Sequence, residues 1–574
     1  MIQKIHKENI IAFGILLLVG IFLSIILKNE GLYDFPNYHY YNAFAFLYNR
    51  GDADIVPGMI NTFFNPLLDV PLWFYIQYFN DYPNILYALQ GLWCGPFLFV
   101  LYKICLLFFE GKKRYFKASL VLLLTITAQA TVCQIGASRN EIPVAFFILW
   151  GFYIILKMVK FPETQTLKKF LLAGLIMGIG LGLKQTVITY CIASGITLMI
   201  CYKYLKNPVK SIGFFAFGGL IGYLIINGYF MYKYWILYGN PFFPFLNGIF
   251  HSPYFFDFNY RDTDYLIEPL FLPIYPFIWY KGRTISTTPY HDLRLTLFYI
   301  LPIFMYFLLK KTKNFNKENK LIISTLTFCF LSFLLWMGIF SIMRYAVVIE
   351  CIGAVLLVKL FDLYDIKKHL VLYKCHIFIV FILVMSVLFY PSLGHNIRGK
   401  HIDIPKISLP DNTLVKIYGV PTSFIIPELA KNSTNLKTVT YYKKCTEYGK
   451  KCPCGTGSDF AEYGKFKEKR DKVEKEHSGP VIYVYHNDFD ISKTEEQINE
   501  QHRVTMELLQ RAKELGFKQA VDDKLDQKYL DDLAIAREYS LPTPDYHCQK
   551  LKNNFMLELN ICVPKELKKQ ILGE

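Results

Sequence analysis

Long apolar runs broken by short charged connections fill most of the chain before residue 394. About 20 apolar residues let a helix cross a bilayer. Runs of this kind lie at roughly 10–27, 84–108, 118–135, 141–157, 170–184, 186–202, 211–231, 292–309, 321–340, 345–361 and 376–393. The pattern therefore predicts about eleven transmembrane helices. The runs 170–184 and 186–202 nearly touch and read either as a tight hairpin or as one long broken helix. Beyond residue 393 the pattern changes. Strand-like runs at Thr413–Val420 and Pro480–Tyr485 alternate with a polar helix over Thr494–Leu515 that closes at Gly516. That is the pattern of an α/β or α+β domain.

The connections set the expected orientation. Basic residues cluster at Lys4 and Lys7, at Lys112 to Lys117, at Lys157 to Lys169, at Lys203 to Lys210, at Lys310 to Lys320 and at Lys367 to Lys374. With an odd number of spans and a cytoplasmic N-terminus, every one of these connections falls inside, as the positive-inside rule requires. The first run, Ile10–Leu27, follows a basic segment without a small-residue cleavage site after it, so a retained anchor is expected. The same count sends residues 394–574 outside. It also places there the long loops 28–83 and 232–291 and the turns around Arg139, Lys184 and Arg344. The expected architecture is an α-helical polytopic membrane protein. A transmembrane domain, 1–393, precedes a soluble extracytoplasmic domain, 394–574.

The composition fits this picture, with 53% hydrophobic and 17% aromatic residues and a mean hydropathy of +0.27. The net charge of +16 reflects cytoplasmic loops rather than a nucleic-acid surface, since no RNA- or DNA-binding motif accompanies it. Of the 13 cysteines, those from Cys94 to Cys375 lie in or beside apolar runs and read as small apolar residues. Cys445, Cys452, Cys454, Cys548 and Cys562 fall in the polar tail, where one or two disulfides are expected.

The candidate chemistry concentrates in the first long loop. Asp34 lies a few residues past the first span. It reads either as a general base for an acceptor hydroxyl or as the cap of a helix beginning near Pro36. His39 follows within that helix, predicted over Pro36–Tyr48. Asp52-Ala-Asp54 has a spacing that can hold Mg²⁺ or Mn²⁺, and is also common in solvated loops. Asn65-Pro66 opens a second predicted helix, Leu67–Phe79, with Asp69 at its start. The outer face further carries Arg139, Lys184, Arg261 and Arg344. These either clamp a phosphate or pyrophosphate or pair with nearby acids: Arg139 with Glu141, Arg261 with Asp262 or Asp264, Arg344 with Glu350.

The order and sidedness of these elements resemble the GT-C superfamily of integral-membrane glycosyltransferases. The matching elements are Tyr33-Asp34-Phe-Pro-Asn-Tyr-His39, Asn65-Pro66-Leu-Leu-Asp69, Arg139-Asn140-Glu141, Gly182-Leu-Lys184-Gln185, Gly239-Asn-Pro-Phe-Phe-Pro244 and Arg344-Tyr345. The resemblance covers residues 1–393 and is to bacterial multispanning members whose acceptor is usually unassigned. It implies an inner-membrane enzyme that moves a sugar from a polyprenyl-phosphate donor to a glycan, lipid or protein acceptor outside, with inversion. Asp34 would be the base or acceptor-orienting group. Lys184 and Arg344, and after them Arg139, would bind the lipid phosphate. His39 and Asp69 in the first loop, and Arg261 in the second, remain candidates for the same site from their residue types alone. No adjacent acidic pair follows the first span and no WWDxG-like motif occurs in the tail, which turns the reading away from protein mannosylation and N-glycan transfer. Two other readings share the pattern. A polysaccharide polymerase or ligase would use a glycan on a lipid pyrophosphate. A transporter would show inverted repeats and polar broken helices at mid-membrane.

Overall fold

The computed structural model describes residues 2–30, 33–255, 284–285, 288–289, 292–311, 317–363, 395–396, 399–442, 464–514, 523–539, 541, 545–555 and 557–573. These residues form two compact units. The first holds 1–31, 65–243 and 258–399. The second holds 32–64, 244–257 and 400–574.

The helices, in chain order, are α1 (Ile2–Leu27), α2 (Tyr40–Leu47), α3 (Asp69–Phe79), α4 (Pro83–Gly91), α5 (Cys94–Phe108), α6 (Arg114–Ile126), α7 (Gln129–Val132), α8 (Glu141–Lys160), α9 (Leu167–Leu183), α10 (Ile188–Ile200), α11 (Pro208–Tyr238), α12 (Asn247–Phe250), α13 (Leu293–Lys311), α14 (Lys317–Ile339) and α15 (Val347–Leu363). Helix occupies every candidate apolar run except 376–393, which lies outside the described residues. Among the described residues, five helical segments are long and apolar enough to cross a membrane: Lys7–Leu27, Pro83–Phe108, Glu141–Lys160, Pro208–Tyr238 and Asn319–Ile339. The first unit is thus a helical assembly with several membrane-length helices. The runs 170–184 and 186–202 resolve into α9 and α10. Extended backbone at Lys184 separates them, and they part company, α9 against α8 and α11, α10 against α14.

Small residues set the closest helix contacts. A Cβ on Gly178 would lie 2.1 Å from the Gly219 carbonyl oxygen, and one on Gly218 would lie 2.1 Å from that of Leu171. Only glycine lets α9 and α11 approach this far, and close approach of backbones is what holds helices together in lipid. Gly20 of α1 meets Gly91 and Gly95 in the same way.

The run 118–135 is not one helix. α6 stops at Ile126 and the one-turn α7 follows. Backbone freed from helical hydrogen bonds inside an apolar assembly needs partners, and buried charges supply them. Asp292 accepts from the Gln129 amide at 2.9 Å. Glu350 accepts from the Ala130 and Thr131 amides at 2.9 and 2.8 Å. Arg294, fully buried, pairs with Asp292 at 2.8 Å and donates to the Leu124 carbonyl at 3.0 Å. Carboxylates at the N-terminus of α7 also suit its dipole.

The second unit is built on a six-stranded mixed sheet. Its strands are β1 (Asp54–Ile55), β2 (Leu414–Tyr418), β3 (Lys437–Tyr441), β4 (Val481–His486), β5 (Tyr546–Leu551) and β6 (Leu559–Pro564), in the order β1-β3-β2-β4-β6-β5. β1, β3, β2 and β4 are parallel, and β6 and β5 are antiparallel neighbours. Leu414, Val415, Ile417 and Tyr418 of β2 are all buried, so both faces of the central strand are covered, as parallel strands require. Helices α16 (Ile425–Ala430), α17 (Gly464–Glu476), α18 (Glu495–Glu514), α19 (Asp523–Tyr539) and α20 (Lys568–Leu572) complete the unit. Cys548 and Cys562, paired across β5 and β6, form a disulfide. Cys445, Cys452 and Cys454 lie outside the described residues.

The compact units follow other bounds than a single division at residue 393. Residues 32–64 and 244–257, assigned from sequence to loops of the transmembrane domain, pack with the tail. The edge strand β1 comes from the first loop. Its pairing with β3 closes one side of a sheet whose other strands all follow residue 413.

Candidate functional site

The predicted site residues divide between the two units. In the first, the ends of several helices meet. Glu30, just past α1, accepts from the Ser138 hydroxyl at 2.6 Å. Asn29 donates to the Val132 carbonyl at 2.6 Å. Asn65 donates to the Gly182 carbonyl at 2.9 Å, and its own side-chain oxygen accepts from the Leu67 amide. The helix after it begins at Asp69 rather than Leu67. The buried Asp69 carboxylate accepts from Asn140 at 2.6 Å. Asn140 has left-handed backbone and stands at the start of α8.

Glu141, the first residue of α8, is 3% exposed and gathers two cations. Lys184 pairs with its carboxylate and donates to the Arg139 carbonyl at 2.6 Å. Arg344 approaches the same oxygen at 3.8 Å, an ion-pair distance rather than a hydrogen bond. The Tyr345 ring lies beside both, 5.5 Å from the Lys184 ammonium and 5.3 Å from the Arg344 guanidinium. Lys184 is held there by the extended backbone between α9 and the turn before α10. Arg139 turns away and donates to the Cys133 carbonyl at 2.7 Å. The pairings weighed from sequence are therefore exchanged. Glu141 serves Lys184 and Arg344 rather than Arg139, and Glu350 serves the amides of α7. Arg261 lies outside the described residues.

Asp34, His39, Asp52 and Asp54 belong to the second unit. The predicted helix over Pro36–Tyr48 splits into a π-turn, Phe35–His39, and α2. Single π-turns interrupt regular helices and recur at functional sites. Asp34 stands at the cap position, but its side chain makes no capping bond. It is 7% exposed and His39 3%. The turn is held from outside. Ser423 bonds the Pro36 and Asn37 carbonyls, and the Phe424 amide donates to Pro36. Both polar atoms of the Asn37 side chain, which is fully buried, are without a hydrogen-bond partner among the described residues. Beneath it, Val56 and Met59 adopt left-handed backbone, φ 49° and 51°, a strained state for a β-branched residue. The Tyr442 hydroxyl pins this turn, donating to the Val56 carbonyl and accepting from the Met59 amide.

The two residues of the Asp52-Ala-Asp54 pair diverge. The Asp52 side chain is 94% exposed and meets Lys469 at 3.3 Å. Asp54 is buried. Arg50 grips both of its oxygens at 2.9 and 2.6 Å, and the Tyr41 and Thr438 hydroxyls donate at 3.0 and 2.9 Å. Burial pushes the Asp54 carboxyl above its ordinary range, while Arg50 opposes that shift. Asp54 thus anchors the edge strand β1 to β3, with both oxygens engaged. Among the described residues no group of three or more His, Cys, Asp and Glu is placed to hold a metal ion.

Sequence reasoning singled out the cations and passed over Glu30, Asn37 and the full role of Glu141. The signals were present: an acid directly after the first span, an asparagine inside the Asp34 motif, and a glutamate opening an apolar helix. Compared by sequence with protein-family models and with curated proteins, the chain has no match.

Proposed function

We propose that this protein is a membrane glycosyltransferase of the GT-C type, with about eleven spans and a cytoplasmic N-terminus. On this reading it moves a sugar from a polyprenyl-phosphate donor to a glycan, lipid or protein acceptor outside the bacterial inner membrane. The observation that carries the reading is the convergence of Lys184 and Arg344 on the Glu141 carboxylate and the Tyr345 ring, at the polar end of an apolar helical unit. Two cations held beside a buried carboxylate suit a phosphate that gains charge as it leaves. Glu141 keeps them apart and oriented until the phosphate takes its place between them.

Asp34 takes the acceptor side as base or orienting group. Its burial at the start of a π-turn supports that assignment. His39 assists in the same turn. Asp69, held by Asn140, keeps the start of α8 in register and so positions Glu141. Lys184 and Arg344 meet leaving-group charge directly, and Arg139 contributes its carbonyl to the Lys184 ammonium.

The test is transfer of labelled sugar from a polyprenyl-phosphate donor in membranes carrying the full chain. Asp34→Asn is expected to lower transfer by about 10²–10⁴, the contribution of a positioned base. Lys184→Gln is expected to weaken donor use. Full activity in both variants at normal protein levels would refute the reading.

A further inference from the structure

A cleft in the helical unit has polar capacity that no described residue uses. Its walls include Tyr75 of α3, Gln90 of α4, Trp93, and Gln134, Ser138 and Asn140 from the segment before α8. Gln90 lies about two turns inside the membrane-length segment Pro83–Phe108. Both its amide oxygen and its amide nitrogen are sealed from solvent and have no hydrogen-bond partner among the described residues. The Gln134 side-chain oxygen is in the same state, in a residue only 3% exposed. Buried amides are almost always bonded, and polar side chains within membrane helices commonly face functional cavities. Ser138 and Asn140, by contrast, are already committed to Glu30 and Asp69.

The chemistry of the walls restricts the occupant. No lining residue is charged, so nothing in the cleft compensates an anion or a cation. An amide offers both a donor and an acceptor, as a hydroxyl does. The Tyr75 and Trp93 rings supply apolar faces at the same place. The cleft holds about 30 Å³ of free space and is partly open, with room for roughly two water-sized groups.

We propose that this cleft is a neutral sugar subsite. Hydroxyl groups of one ring reach Gln90 and Gln134, while the ring itself stays at the mouth against the aromatics. The inference deepens the glycosyl-transfer reading and rests on it for naming the ligand a sugar rather than another polyol.

The experiment uses the full chain in phospholipid nanodiscs free of glycolipid. Saturation-transfer NMR is run with four neutral probes, the methyl glycosides of glucose, galactose, mannose and N-acetylglucosamine, and with glycerol as a control. At least one glycoside is expected to bind. Gln90→Leu and Gln134→Leu are each expected to weaken that binding by roughly tenfold, the loss of one or two neutral hydrogen bonds. Arg503→Gln, on the exposed face of α18, is expected to leave it unchanged. Absence of binding by all four glycosides, or equal binding by wild type and both leucine variants, overturns the subsite. So does binding of glycerol as strong as that of the glycosides. A rise in melting temperature in the leucine variants without loss of glycoside binding assigns the space to trapped water and also overturns it. Because binding is read without turnover, loss of the subsite is distinguishable from loss of the transfer reading. Glycoside binding with no transfer by wild type from the polyprenyl-phosphate donor would leave the subsite standing and remove the transferase.

Discussion

His401 gives a stability prediction whose size follows from the structure. The side chain is fully buried in the second unit, with the Phe35 ring edge-on at 5.9 Å. Its carbonyl is held by Asn554 at 2.9 Å, so the backbone position does not depend on the ring. Burial disfavours the imidazolium and pushes the pKa from 6.5 down to about 3. The unfolded chain therefore binds a proton that the folded chain refuses at any pH between these values. The contribution of neutral His401 is fully present above pH 6.5 and is lost as pH falls towards 3. At pH 5 the loss relative to pH 7.5 is about 2 kcal/mol, using 1.36 kcal/mol per unit. The folded value hardly affects this figure, because at pH 5 the folded histidine is neutral for any pKa below about 4. The substitution is His401→Phe, which keeps a ring and removes the titration. Pulse proteolysis in urea on the full chain, following fragments of the second unit at pH 7.5 and 5.0, measures the change. Other groups titrate in both proteins and cancel in the comparison. Wild type is expected to lose about 2 kcal/mol more than the variant. Parallel losses in the two proteins would refute the burial argument.

Three other outcomes test the framework. Gly178→Ala places a methyl group against the Gly219 carbonyl and should lower the stability of the helical unit by about 1–3 kcal/mol, whereas Gly213→Ala meets nothing within 4 Å and should be neutral or slightly stabilising. Thermal unfolding in detergent separates them. Asp292→Asn leaves the fully buried Arg294 without its counter-ion and frees one contact at α7. A loss of about 3–5 kcal/mol is expected, read from the same melting curves. Tyr442→Phe removes the hydroxyl that bridges Val56 and Met59. It should cost about 1–2 kcal/mol and speed hydrogen exchange at the Met59 amide, and unchanged exchange there would show that the turn is held by other contacts.

The hydropathy pattern located the helices because apolarity is a local property. Each run from Ile10 to Phe361 carries its own signal, and the strands at Leu414–Tyr418 and Val481–His486 carry theirs. The position of polar residues at helix ends was equally legible, and it brought Asp69, Arg139, Lys184 and Arg344 to notice. The break between α6 and α7 was not legible. It exists because Asp292, Arg294 and Glu350, more than 150 residues away in the chain, replace the helical hydrogen bonds.

Sequence by itself thus determined a helical protein with membrane-length apolar segments, a polar α/β tail and a short set of charged residues at the ends of its helices. Tertiary structure alone decided which of those charges meet. A carboxylate has no sequence signal that says which cation it will face. Glu141 could serve Arg139, two residues away, yet the packing of α8 against α9 brings it Lys184 instead. The same holds for Asp54. As half of an Asp-x-Asp pair it looked like a metal ligand, and only its burial between Arg50, Tyr41 and Thr438 made it the anchor of an edge strand. Local pattern fixes what a residue can do, and long-range packing selects the partner with which it does it.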